Sequence, residues 1–137
     1  MKKSVEKTLV ITILTMIFAF SALAATPKTV QSSKVNWTAA EKNYIAALSS
    51  ENIGLRNSAV NYIAEYRLSG AVQSLIGRLR EDKVEQVRMA SALALMQLGD
   101  NDGIAAVKDA AIYDGSEKVA KFCEQLLSFT SQELSFK

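Results

Sequence analysis

From Trp37 onward, apolar residues recur at the three- and four-residue spacing of an α-helix, and no long stretch alternates in the manner of a β-strand. A leading helix places Trp37, Tyr44 and Leu48 on one face, and Thr38 followed by Glu41 predicts a capping box at its start. The same spacing predicts five further helices: Ile53–Tyr66, Ser69–Arg80, Val84–Leu98, Asp102–Tyr113 and Glu117–Phe129. The pattern therefore predicts an all-α protein.

The helical pattern repeats at an offset of 32 residues, which keeps apolar, small and charged positions in one register. The matching sets are Leu55, Val87 and Val119; Ile63, Leu95 and Leu127; Ala59, Ser91 and Cys123; and Arg56 with Arg88. Asp82 with Glu85 and Asp114 with Glu117 repeat a D-x-x-E pattern that predicts helix starts. The register indicates an internal repeat, arranged as a leading helix, two helical hairpins and a closing helix.

One stretch, VRMASALALMQLGD from Val87 to Asp100, carries very little polar cover for a surface helix. A helix with repeats on both sides is contacted from several directions, so its apolar residues need not form a single stripe. We therefore expect Leu95 to lie in the core, and Gly99 to end this helix in the left-handed conformation.

A family resemblance appears in the second unit, VRMASALALMQLGDNDGIAAVKDAAIYDGSEKVAKF. It resembles the HEAT-repeat pattern in the short form found in bacterial HEAT-like repeats, which include the bilin-lyase relatives. The first unit departs from that pattern with Arg67 and Leu68 where Gly-Asp is expected, and the third has Ala120 in place of the arginine. The resemblance covers about residues 51–128 and implies a short α-solenoid of HEAT-like helical hairpins.

The resemblance also implies where binding would occur. In such solenoids the shared binding face is usually the concave one, lined by the second helices, which here offers Gln73, Arg78, Lys108 and Asp109. Tyr113, beside the loop before the last helix, is the aromatic candidate for a partner contact. The resemblance implies that Arg56 and Arg88 tie adjacent units together, with Asp82, Asp100 or Asp114 as acidic partners. The other aromatic residues are expected to pack, Tyr62 and Tyr66 in the core and Trp37 and Tyr44 over the N-terminal end.

The N-terminus has the features of a secretory signal peptide. Lysines are followed by an apolar run from Leu9 to Leu23 and by the small-x-small pattern Ala22-Leu23-Ala24. We expect a signal peptide over residues 1–24, a flexible leader over 25–36, a repeat domain over 37–129 and a C-terminal tail over 130–137. These features predict an exported protein, periplasmic or secreted, and retention of the segment would instead make a membrane-tethered module.

Composition removes several classes of function. The chain of 137 residues is 49% hydrophobic and contains no histidine, the commonest general base and metal ligand. Its net charge of +2 arises within the first seven residues, and the rest shows no basic stripe for a nucleic-acid partner. The single cysteine, Cys123, falls in a column of small residues and is predicted to be a buried, inert thiol. No spacing predicts a catalytic, cofactor or metal site.

These observations predict a non-catalytic module that binds or scaffolds a protein partner. The alternative is an enzyme or an accessory subunit, by analogy with the bilin-lyase relatives. Self-association is a further possibility, because the unpaired last helix carries apolar residues: Phe122, Leu126, Phe129, Leu134 and Phe136.

Overall fold

The computed structural model describes the backbone of residues 34–135 and the side chains of residues 34–129. Within that range lie six α-helices: α1 (Trp37–Ala47), α2 (Ile53–Glu65), α3 (Val72–Glu81), α4 (Glu85–Leu98), α5 (Asn101–Tyr113) and α6 (Glu117–Ser135). A short 3-10 helix, Ser69–Ala71, precedes α3. No β-strand occurs among the described residues. The predicted signal peptide over 1–24 lies outside them, as do most of the leader and the side chains of the tail.

The helices form two layers, because the chain alternates between them from α2 to α6, with α3 packed on α4 and α5 packed on both α4 and α6. Helices α2, α4 and α6 pack side by side as the first layer, and α3 packs on α5 in the second. Helix α1 packs against α2 and the 3-10 helix. The predicted all-α solenoid of helical hairpins is confirmed.

The core follows the 32-residue register. Ile63 and Leu95 are fully buried, as predicted, and so are the small residues of the third set, Ala59, Ser91 and Cys123. Small side chains suit these three buried positions, because a close-packed interior leaves no room for a larger one.

Two residues close to the C-terminal ends of first-layer helices have the left-handed conformation. Gly99 has φ 73°, as predicted, and its amide donates to the Leu95 carbonyl. Arg67, its counterpart one repeat earlier, has φ 51°. The same backbone turn is thus made without glycine in the first hairpin, which costs about 1 kcal/mol of conformational strain.

Three predicted helix starts are wrong in detail. Helix α1 is capped by Asn36, whose side chain accepts from the Ala39 amide, and not by Thr38. The Glu41 carboxylate accepts instead from the Gly70 amide, 2.8 Å away, and so fixes α1 to the 3-10 helix. In the D-x-x-E pattern, Asp82 and Asp114 accept hydrogen bonds two residues ahead, from the Val84 and Ser116 amides, rather than three. They shape the loops before α4 and α6 as Asx turns.

The prediction that Tyr62 and Tyr66 are core residues is also wrong. They are 43% and 40% exposed, and their rings stack with centroids 6.0 Å apart. Trp37 packs on Tyr66 at 4.9 Å and Tyr44 on Tyr62 at 5.4 Å. Within residues 34–129, the first layer begins with α2 and only α1 packs on this side of it, so the tyrosines remain exposed.

Candidate functional site

Arg56 connects two loops at one edge of the stack. Its Nε and Nη2 donate to the two Asp82 carboxylate oxygens at 2.8 and 3.0 Å. Its Nη1 donates to the backbone carbonyls of Ser50 and Glu51. Both members of the ion pair are buried, with only 1% of the Asp82 side chain exposed. A forked pair of this kind holds the loop before α2 against the loop after α3.

Arg88 repeats the arrangement one unit later. Its Nε and Nη2 donate to the Asp114 carboxylate, both at 3.0 Å, and its Nη1 donates to the Asp82 carbonyl at 2.7 Å. Asp82 therefore belongs to both pairs, through its side chain in one and its backbone in the other. This geometry identifies the acidic partners as Asp82 and Asp114, whereas Asp100 caps α5 by accepting from the Asp102 and Gly103 amides.

The electrostatics of Asp82 agree with a structural role. Burial acts to raise the pKa of the carboxyl, but hydrogen bonds from Arg56 and the Val84 amide, with the charges of Arg56 and Arg78, outweigh it. The net result is a pKa below the ordinary value of 3.8, so the carboxylate is ionised at neutral pH. Arg56 and Arg88 therefore both hold loops together.

A second polar feature runs between the second-layer helices. Gln73 Nε2 lies 3.4 Å from Asp102 Oδ2, and Arg80 Nη2 lies 3.5 Å from Asp109 Oδ2. Each pair joins residues on α3 and α5, and the two pairs are two helical turns apart. We call the surface formed by Gln73, Arg80, Asp102, Asp109 and Tyr113 the α3–α5 seam.

A groove of about 180 Å³ opens at one end of the seam. Its floor is apolar, formed by Leu79, Ala106 and Ala110, and its rim carries Arg80, Asp109 and Tyr113. Tyr113 is 79% exposed, the most exposed large hydrophobic residue of the described part of the chain. An apolar floor with a charged and aromatic rim suits the insertion of one side chain from another protein.

The five predicted binding residues do not all lie on one surface. Gln73, Asp109 and Tyr113 come together on the seam. Arg78 lies away from them in a cleft of about 460 Å³, where its Nη1 is 3.6 Å from Asp82 Oδ2. Lys108 is exposed and takes the place in α5 that buried Ile76 has in α3. It lines neither the groove of the seam nor its two polar pairs.

Arg80 and Asp102 belong to the seam but were not predicted from the sequence. One signal could have found them. On second-layer helices, polar residues spaced by seven fall on one line, and both Gln73 with Arg80 and Asp102 with Asp109 have that spacing.

Comparison with known families agrees with this architecture. A family model of HEAT repeats matches residues 41–128, well over half of the chain. The chain belongs to the HEAT-repeat family. No curated protein sequence matches this HEAT-repeat protein.

One solved structure matches its fold. It is a chain in the complex of CpcE and CpcF of phycocyanin lyase from Nostoc sp. PCC7120, with 23% identity and a TM-score of 0.54. The match covers 77% of the HEAT-repeat protein and 40% of the other chain, so this protein spans less than half of that relative. At this identity the likeness shows the shared fold alone.

The remaining chemistry of the HEAT-repeat protein is limited. Burial, and secondly the Asp114 carboxylate, raises the pKa of the Cys123 thiol to about 11. Among the described residues, no group of three cysteine or acidic side chains is placed to hold a metal ion. Nor does any helix there combine the length and the apolar content that a membrane span requires.

Proposed function

We propose that this HEAT-repeat protein is a non-catalytic module, exported from the cytoplasm, that binds another protein through the α3–α5 seam. The observation that carries the proposal is the groove beside Tyr113. Its volume lies below the range of about 300–1,000 Å³ for small-molecule pockets, so it suits a single side chain of a protein better than a metabolite.

The rim supports the same proposal. Tyr113 offers a large contact area with two rotatable side-chain bonds, and the Arg80–Asp109 pair is exposed enough to exchange partners. An exposed pair of this kind adds little to folding, so both side chains are available for binding.

The test is site-specific photo-cross-linking in the native cell envelope. A photoreactive residue is placed at Tyr113 in one variant and at Leu93, an exposed residue on the outer side of α4, in the control. We expect one protein to be cross-linked from position 113 and not from position 93, and Arg80→Glu to weaken its binding when both proteins are purified. The same adducts from both positions, or none from position 113, would overturn the proposal.

The natural protein from the same cell envelope also tests export. Mass spectrometry of the natural protein should show a chain that begins at Ala25. A chain that keeps its first 24 residues would contradict cleavage and favour the membrane-tethered form.

The fold match suggests a second candidate, an accessory subunit that acts in a complex of the phycocyanin-lyase kind. The natural protein, purified with its partner, would then carry a bound tetrapyrrole with visible absorbance. A colourless complex would favour the binding module.

A further inference from the structure

The cleft of about 460 Å³ beside Arg78 lies where the loop before α2 meets the loop after α3. Its volume falls within the range of about 300–1,000 Å³ for small-molecule pockets, unlike that of the groove in the seam. Arg56 and Asp82 line part of it, but their charges are paired with each other. Of the described residues that line the cleft, four more are charged: Arg78, Lys83, Glu51 and Glu81.

Arg78 is not needed for the ion pair that the repeat conserves from one unit to the next. Among the described residues, Asp82 lies beside two arginines, whereas its counterpart Asp114 pairs with Arg88 alone. The residue of α5 that corresponds to Arg78 is Ala110. Arg78 Nη1 lies 3.6 Å from Asp82 Oδ2, which is longer than a hydrogen bond, and the side chain donates none to the described residues. Its guanidinium is therefore free to donate to a ligand.

The start of α4 is a second difference between the units at this cleft. Ser116, which precedes α6, accepts from the Val119 amide at 3.4 Å and so caps that helix. Its counterpart before α4 is Val84, which lines the cleft and has no side-chain oxygen. The first amides of α4 therefore lack a side-chain cap, and the partial positive charge of this helix end favours an anion. An anion bound to Arg78 would meet both features.

We infer that this cleft binds a small zwitterionic carboxylate of the α-amino-acid class. The carboxylate of the ligand accepts from the Arg78 guanidinium and faces the uncapped start of α4. Neither Glu51 nor Glu81 forms an ion pair with a described residue, so their side chains are available to accept from the ammonium group of the ligand. The same two carboxylates disfavour a phosphate dianion, which carries more negative charge and no donor of its own.

NMR titration of the chain as cells produce it tests the inference, with L-alanine as the probe. We expect saturable shifts of the Arg78 Nε–H resonance and of the Glu85 and Gln86 amides. Two analogues are matched controls. N-acetyl-L-alanine keeps the carboxylate without the ammonium group, and L-alanine amide keeps the ammonium group without the carboxylate. Each analogue should bind at least about ten-fold more weakly, because each loses a charge-assisted hydrogen bond.

Matched variants of the protein locate the site. Arg78→Gln should weaken L-alanine binding at least about ten-fold, whereas Arg80→Gln, the same change at an exposed arginine of the seam, should leave it unchanged. Circular dichroism checks that both variants fold, and the comparison of ligands needs no variant.

Four results would overturn the inference: no saturable shift, equal affinity for L-alanine and its analogues, equal losses in both variants, or tighter binding of inorganic phosphate than of L-alanine. The cleft and the seam share no residue. The outcome is therefore independent of the cross-linking test of the proposed function.

Discussion

Replacing Asp82 by asparagine tests whether the arginine–aspartate pairs hold the repeats together. The change keeps the shape of the side chain but removes the charge that receives Nε and Nη2 of Arg56 at 2.8 and 3.0 Å. Arg56 would then remain buried with an uncompensated guanidinium, and losing one partner of a buried pair costs about 3–5 kcal/mol. The amide oxygen can still accept from the Val84 amide, which favours the lower end of that range.

Urea and thermal unfolding followed by circular dichroism measure the effect. We expect the free energy of unfolding to fall by about 3 kcal/mol and the melting temperature by roughly 10–20 °C. Asp109→Asn is the matched control, because it breaks an exposed ion pair and should cost less than about 1 kcal/mol. If the two variants lose the same small amount of stability, the buried pair does not hold the stack and the reasoning is wrong.

The same pair predicts a pH dependence. The pKa of Asp82 is lower in the folded protein than its ordinary value of 3.8, so its contribution is complete above that value. It is lost as the pH falls through the lowered folded-state pKa. The stability difference between the natural chain and Asp82→Asn should therefore shrink below about pH 4, and a constant difference down to pH 2 would contradict the assignment.

Four further predictions concern single residues of the stack. Leu95→Asp places a charge at a fully buried site and should abolish the helical circular-dichroism signal, which an unchanged melting temperature would refute. Asn57 Oδ1 is buried without a partner among the described residues, so Asn57→Met should raise the free energy of unfolding by about 1 kcal/mol in urea titrations. Arg67→Gly relieves the strain at φ 51° but removes the exposed bond from Arg67 Nη1 to the Gln97 carbonyl and frees the unfolded chain, so urea titrations should show a gain of less than about 1 kcal/mol. Cys123, with a pKa of about 11, should react with a thiol reagent in the folded protein far more slowly than in urea, and equal rates would refute its burial.

The architecture could be predicted from the sequence because each core position of a repeat occurs several times in the chain. One apolar position is ambiguous, but Ile63 and Leu95 at the same register position both indicate the core. The arginines could likewise be assigned to structural ion pairs, although the sequence alone could not separate their partners, Asp82 and Asp114, from Asp100.

The failures come from the ends of the stack and from local turns. The 32-residue register aligns Tyr62 with Ala94 and so predicted Tyr62 to be buried. The register holds only for a helix with neighbours on both sides, and the described part of the chain has no first-layer helix before α2. The D-x-x-E pattern fits either a capping box or an Asx turn. Asp82 and Asp114, which also accept the forked bonds of arginine, form the Asx turn. The predicted binding residues lie on different surfaces because the family pattern gives the helix that lines a surface but not the direction of each side chain. Arg78 and Lys108 show this most clearly.

Asp82 bonds to the arginines of both hairpins, and this affects how the stack unfolds. Its carboxylate closes the first hairpin and its carbonyl anchors Arg88 of the second, so neither hairpin can open without releasing a bond of the other. In a nearest-neighbour description of folding, much of the free energy of unfolding therefore comes from contacts between units rather than from each unit alone. The series of arginines ends at Ala120, so α6 has no arginine there that could bond to the Asp114 carbonyl as Arg88 bonds to that of Asp82. Amide exchange should therefore begin as fraying of α6, while the hairpins exchange together as one cooperative block.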